Sequence, residues 1–256
     1  MIKEESRFNN STVFEGMTSI RAILDCLKEN KPNTRKIIEI LYDIDKEKSK
    51  SKELGYLRKM SDIYSFQVRG TSFEEIDHYS IGASHGGIIA LCGEKQYDEL
   101  TSDKIKENGF YVMLEGIEDP YNFGYALRSI YASGADGIIL SKRNWLSAAG
   151  VVCRSSAGAS ERLDAFIACD DFIKHFKSKG YQIVCADIKN SVSVYESNLK
   201  KPIFLIVGGE KRGISSSVLS QADQIVRIEY GRDFSAALSA ASASTILAFE
   251  VFKQNK

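Results

Sequence analysis

Long apolar runs are missing from this chain. No stretch approaches the ~18 residues that read as a membrane span, and the opening MIKEESRFNNS lacks the apolar core of a secretory signal. A cytoplasmic protein is therefore expected. Net charge is missing too, since 34 basic residues face 34 acidic ones. Any affinity for nucleic acid has to come from a local basic patch, because bulk charge offers no steering. The five cysteines (Cys26, Cys92, Cys153, Cys169, Cys185) form no C-x-x-C pair, and most lie in apolar surroundings such as Ile183-Val184-Cys185-Ala186. There a thiol acts as a small core hydrophobe. The three histidines, His78, His85 and His175, show no ligand spacing. The residue pattern thus argues against metal and disulfide chemistry. Prolines number three, at positions 32, 120 and 202, and no internal repeat occurs.

What is present is ordinary for a globular protein. Of 256 residues, 43% are hydrophobic and 27% charged, which excludes a disordered chain and suits one large domain or two modest ones. Ile20, Ile23, Leu24 and Leu27 predict a helix over 17–28. The lysine-rich run Lys46–Lys52 reads as an exposed loop or a helix start. Apolar segments at 37–42 and 87–92 read as strands. The polar stretch Gly93–Asn108 reads as a linker, dividing the chain into residues 1–96, a linker 97–109, and residues 110–256. In that last part, strands predicted at 111–117, 137–140, 182–186, 203–207 and 224–228 alternate with helices at 120–133, 170–179, 215–221 and 235–253. Such alternation argues for α/β architecture, a parallel sheet covered by helices on both faces. Ligands in such sheets sit beyond the carboxyl ends of the strands.

Three loops at those ends carry unusual chemistry. The first runs Glu118-Asp119-Pro120-Tyr121-Asn122-Phe123-Gly124 and continues to Arg128. Asp119 and Pro120 are explained as a helix cap and first position. Asn122 and Arg128 are not. Arg128 stands between Leu127 and Ile130, where an idle cation is costly. The second, Gly208-Gly209-Glu210-Lys211-Arg212-Gly213, is glycine-rich but fits neither common phosphate-loop pattern. It is either a ligand loop or a solvated turn. The third leads from Ile228 to Leu238 and Ser239 and into an Ala/Ser-rich helix. That helix either packs tightly in the core or forms a wall for a flat ligand or a second subunit.

Together the loops resemble the three motifs of the SpoU (TrmH) family of RNA ribose methyltransferases. Asp119, Pro120, Asn122, Gly124 and Arg128 resemble its D-P-x-N-x-G followed by arginine. Arg154-Ser-Ser-Ala-Gly-Ala159 is similar to its S-x-G-A segment, and Gly208, Glu210 and Gly213 resemble its G-x-E-x-x-G loop. Order and spacing agree over about 111–252. Residues 12–95 also resemble the family's small ribosomal-protein-like substrate-binding domain, through Phe14-Glu15-Gly16-Met17 and Ser84-His85-Gly86-Gly87-Ile88. His85 has no catalytic role in that likeness. One departure stands out: the family's third motif reads S-L-N-x-S, and here Ser239 takes the amide's place and Ala241 lacks the hydroxyl.

The resemblance implies a C-terminal parallel-sheet domain tied in a deep trefoil knot, which general topology rules disfavour. It implies S-adenosylmethionine as cofactor, framed by Gly208, Ile228 and Leu238. It assigns the reaction, attack of a ribose 2′-hydroxyl on the sulfonium methyl, to Arg128, with Asn122 and Glu210 holding Arg128 and substrate in register. A guanidinium is effectively always protonated, so Arg128 fits better as an electrostatic stabiliser than as a base. RNA contacts are expected from Arg154, Lys142, Arg143 and the N-terminal domain, and a homodimer through the helix at 235–252. The two-domain layout resembles members acting on ribosomal rather than transfer RNA, by analogy. Two other readings remain at this point: an RNA-binding or ribosome-assembly protein that kept the fold and lost activity, and an unrelated nucleotide-binding α/β enzyme.

Overall fold

The computed structural model describes residues 12–82, 85–141, 148–209 and 211–256. Glu210, Lys142, Arg143 and Ser84 lie outside the described residues. The chain forms two compact units: Met1–Gln96 with Asn144–Arg162, and Tyr97–Arg143 with Leu163–Lys256.

The first unit opens with β1 (Val13–Glu15) and α1 (Gly16–Lys28), followed by β2 (Ile37–Asp43), α2 (Ser51–Tyr64), β3 (Gln67–Thr71), α3 (Phe73–Tyr79) and β4 (Ile88–Cys92). The sheet order is β1-β4-β2-β3; β2 and β3 run parallel, and β4 is antiparallel to both β1 and β2. Helix α1 presents Ile20, Ile23 and Leu24 to the core, with Leu27 partly buried beside them, as its three- and four-residue spacing dictates. The lysine-rich run ends where α2 begins, at Ser51.

The second unit begins before its first strand. The stretch expected to be a linker is instead packed: Leu100 and Ile105 are buried in the unit's core, and the Leu100 N–H donates to the Ile167 carbonyl at 2.9 Å. Tyr111 and Tyr181 clamp its end, Tyr111 Oη accepting the Lys106 N–H at 3.2 Å. Tyr181 Oη donates to the Lys106 carbonyl at 2.6 Å and accepts the Gly109 N–H at 2.9 Å; burial pushes its phenol up. Strand β5 (Phe110–Glu115), α4 (Pro120–Ala132) and β6 (Gly137–Leu140) follow. Two short helices, α5 (Ala149–Ser155) and α6 (Ala159–Arg162), belong to the first unit. The second unit resumes with β7 (Asp164–Ile167), α7 (Phe172–Ser178), β8 (Gln182–Ala186), β9 (Val192–Ser193), β10 (Ile203–Gly208), α8 (Ser216–Leu219), β11 (Gln224–Arg227) and α9 (Ala240–Gln254).

Its seven strands lie in the order β7-β6-β5-β10-β8-β11-β9, every neighbouring pair parallel. The expected α/β architecture is present. In β10, Phe204 and Ile206 join a cluster with Phe176, whose ring stacks on Phe204 at 4.0 Å. Ile203, Leu205 and Val207 point the other way and are buried as well. A strand covered on both faces reads as a continuous apolar run. The cysteine reading also holds: Cys26, Cys92, Cys153 and Cys185 are buried, and burial pushes the Cys153 and Cys185 thiols up to about 12.

A buried charge cluster fixes α6 to the rest of the first unit. Arg35 is 2% exposed. Its Nε lies 3.3 Å from Glu161 Oε2, its Nη1 donates to the Gly93 carbonyl at 3.2 Å, and its guanidinium sits 4.8 Å from the Phe14 ring centre. Lys95 Nζ also faces Glu161, at 3.8 Å. Removing one partner from a buried pair strands the other charge without water, at a cost of about 3–5 kcal/mol. Glu161→Gln is therefore expected to destabilise the protein by about that amount in denaturant unfolding. A loss below about 1 kcal/mol, the worth of a surface pair, would contradict the burial of this cluster.

Candidate active site at the carboxyl edge of the parallel sheet

Strand β5 is followed by Gly116, whose φ of +76° suits glycine alone among common residues. Three residues on, Asp119 caps α4. Its carboxylate accepts the N–H of Tyr121 at 3.2 Å and of Asn122 at 3.1 Å, and Pro120 fills the first helical position, where a missing N–H is harmless. The capping explanation of this aspartate is thus correct. It also places Asn122, half-buried, in the first turn beside the sheet edge.

The neighbouring strand β10 ends in a turn closed on itself, with the Gly213 N–H donating to the Gly209 carbonyl at 2.9 Å. A Cβ on Gly208 would lie 2.5 Å from the Gly213 carbonyl carbon, and one on Gly209 would run into the Gly116 carbonyl. The Gly209 N–H donates to the Glu115 carbonyl at 2.6 Å, and Glu115 Oε2 accepts the Ser215 N–H at 3.2 Å. Two motif loops are therefore locked backbone to backbone, and this is why the glycines are there. Between them lies a cleft of about 120 Å³ lined by Gly116, Ile117, Glu118, Asp119, Asn122 and Lys211. Lys211 Nζ reaches Glu118 Oε2 at 2.8 Å across it. Neither of these two residues was singled out in the sequence for this position, because they meet only through the loop pairing.

Ile228 follows the end of β11 and Leu238 precedes α9; both are half-buried, while residues 229–237 between them are exposed. The Leu238 N–H donates to Tyr230 Oη at 3.1 Å. Helix α9 starts at Ala240, later than the predicted 235, because Ser239 is its N-cap: the Ser239 hydroxyl accepts the Ser242 N–H at 3.1 Å. Asparagine and serine cap helices about equally well, so the departure at 239 preserves the local backbone.

Arg128 differs from its expected setting. It is exposed on α4, and no ion-pair partner of it occurs among the described residues. Leu127 and Ile130 are buried, but residues one and two apart on a helix do not share a face, so no desolvation cost falls on Arg128. Six residues separate it from Asn122, about 9 Å along the axis. Beside it, Thr245 Oγ1 donates to Ser129 Oγ at 2.7 Å, joining α9 to α4. Arg154 is expected among the RNA contacts. It belongs to the first unit, where it pairs with Glu15. Among the described residues no cluster of His, Cys, Asp or Glu suits a metal ion, and no helix is long and apolar enough to cross a membrane.

The sequence model of the SpoU rRNA methylase family matches residues 109–249, more than half of the chain. This protein belongs to the SpoU rRNA methylase family. The match spans all three loops at the sheet edge. A relative from Shewanella oneidensis, named 23S rRNA (guanosine-2′-O-)-methyltransferase RlmB, is 27% identical over 78% of this chain and 83% of its own. Among solved structures, the AdoMet-bound rRNA methyltransferase from Sinorhizobium meliloti superposes with a TM-score of 0.76 at 22% identity, covering 94% of this chain and 87% of that one. The SpoU methyltransferase AviRb from Streptomyces viridochromogenes, in complex with AdoMet, gives 0.76 at 21% identity, covering 94% and 89%. The likeness in fold thus covers residues of both units.

The interlocked glycines make a direct prediction. Gly209→Ala forces a methyl group into the Gly116 backbone, and overpacking of this kind costs about 1–3 kcal/mol. The melting temperature is expected to fall by roughly 2–10 °C. An unchanged value would mean that the two loops do not touch.

Proposed function

We propose that this protein transfers a methyl group from S-adenosylmethionine to a ribose 2′-hydroxyl of RNA, ribosomal RNA being the substrate class. The observation that carries the proposal is the meeting of the family's motif loops at the carboxyl edge of one parallel sheet. Family membership supports methyl transfer, and the name of the Shewanella relative supports the ribose hydroxyl and ribosomal RNA. In this reading the first unit binds RNA and the second unit, which begins at Tyr97, carries the knotted methyltransferase domain.

The edge suits the cofactor. Gly208 lets the turn at Gly213 and Ile214 close tightly against the end of β10, and half-buried Ile228 and Leu238 offer apolar surface for the adenine and ribose. When bound, S-adenosylmethionine supplies an electrophilic methyl group on sulfur. The rest falls to the protein. Arg128, exposed on α4, holds a phosphate of the RNA and stabilises negative charge on the ribose oxygen as its proton leaves. Asn122, at the cleft, orients the nucleotide, and Glu210 fixes the Arg128 fork. Asn122 and Arg128 lie too far apart along α4 to grip one atom, so together they align a stretch of strand.

A homodimer completes the proposal. Tyr125 and Tyr131 on α4 and Phe249 and Phe252 on α9 are each 40–50% exposed on two helices that pack together. Such an apolar surface marks an interface, and a second copy across α9 covers it. Ser239 as a sound helix cap favours the active enzyme over a form that has lost catalysis.

Arg128→Ala tests the assignment. Methyl transfer to ribosomal RNA, followed with tritiated cofactor, is expected to fall by at least ~100-fold, while cofactor binding by calorimetry stays nearly intact. Loss of both, or of neither, would contradict it.

A further inference from the structure

The first unit has a cleft of its own, about 370 Å³, walled by the start of α1, the turn around His85 and Gly86, Lys50 and Arg154. Helix α1 begins there with an open end. Glu15, at the cap position, makes no side-chain capping bond, so the first-turn amides, which have no acceptor within the helix, direct the positive end of its dipole outward.

His85 adds an independent sign of a ligand. It is 2% exposed, and its Nδ1 accepts the Gly87 N–H at 3.1 Å. The ring proton therefore sits on Nε2, and this buried donor has no hydrogen-bond partner among the described residues. Native proteins seldom leave such a donor unmade. The acids nearby are engaged. Glu15 Oε1 accepts the N–H of Ile81 at 2.6 Å and of Gly82 at 3.2 Å, and its other oxygen pairs with Arg154; Glu53 faces Lys50 at 3.4 Å. A cleft rich in donors, with its acceptors engaged, suits an anion that also carries a carbonyl. Its volume lies in the range of small-ligand sites, about 300–1,000 Å³, too large for a lone phosphate.

We propose that this cleft seats one unpaired nucleotide of the RNA substrate, with its phosphate on the first turn of α1 and a base carbonyl on His85 Nε2. The proposal rests on the reading of the protein as an RNA methyltransferase. Met17 and Ile88 give the base an apolar wall. Single-stranded nucleotides expose the base edges that such contacts need, so the cleft selects an unpaired nucleotide.

Two substitutions block the site without loosening the fold. Thr18 is exposed in the first turn of α1. Thr18→Glu places a carboxylate where the helix dipole favours it and where the phosphate would sit. Lys50 is the N-cap of α2 and makes no capping bond; Lys50→Ser provides a good cap and removes a cation. The probe is a labelled single-stranded RNA dodecamer of mixed sequence, titrated at several salt concentrations against the full chain. Each variant is expected to bind it roughly tenfold more weakly and to lower the salt slope by about 1. The melting temperature is expected to be equal or higher, and S-adenosylmethionine binding unchanged. Unaltered RNA affinity in both variants, with the parent protein binding well, would overturn the proposal alone. Binding of inorganic phosphate or a free mononucleotide that does not compete with the RNA would overturn it in favour of a small metabolite. Failure of the parent protein to bind RNA would overturn the enzyme reading, and this proposal with it.

Discussion

Two glycine turns pressed backbone to backbone govern the proposed active site. Gly116 follows β5 with a positive φ, Gly208 and Gly209 end β10, and a methyl group on either of these last two would run into backbone. Strands β5 and β10 are direct neighbours in the sheet, so the contact follows from the strand order once both turns lack side chains. It delivers Asn122, Glu118 and Lys211 to one cleft and leaves bare peptide groups at the edge, the kind of surface a ligand held by backbone requires. Bulk in this turn would separate the motifs that the family match joins.

The first unit depends on a different constraint, a carboxylate between two buried cations. Arg35 and Lys95 converge on Glu161, which ties a helix from far along the chain to the N-terminal sheet. The same segment carries Arg154, which braces Glu15 at the start of α1. In this way Arg154 and Ala157, on the returning segment 148–162, help to wall the cleft at the N-terminus of α1.

Local signals carried most of the second unit. Asp119-Pro120 announced the start of α4, and the continuous apolar run of Ile203–Val207 announced a strand buried on both faces. The glycine loop was visible as composition, but its physical reason, the close approach to Gly116, is a contact between residues some ninety positions apart. Other features escaped for the same cause. The stretch 97–109 looks polar, yet it sends Leu100 and Ile105 into the core. Arg128 looked hemmed in by apolar neighbours in sequence, whereas the helix turns those neighbours away from it. Glu161, one acid among 34, gave no sign that it meets Arg35 across 126 positions. Pairwise charge placement is decided by topology, which periodicity does not encode.

The central claim is that the edge formed by these loops directs a methyl group to a ribose oxygen of RNA. The most direct measurement is to incubate the protein with ribosomal RNA and labelled S-adenosylmethionine, then digest the product with alkali and locate the label. A 2′-O-methyl group blocks cleavage at its own nucleotide, so the account predicts label in an alkali-resistant dinucleotide from a single position. Label on a base, released in mononucleotides, or no incorporation at all, would contradict it.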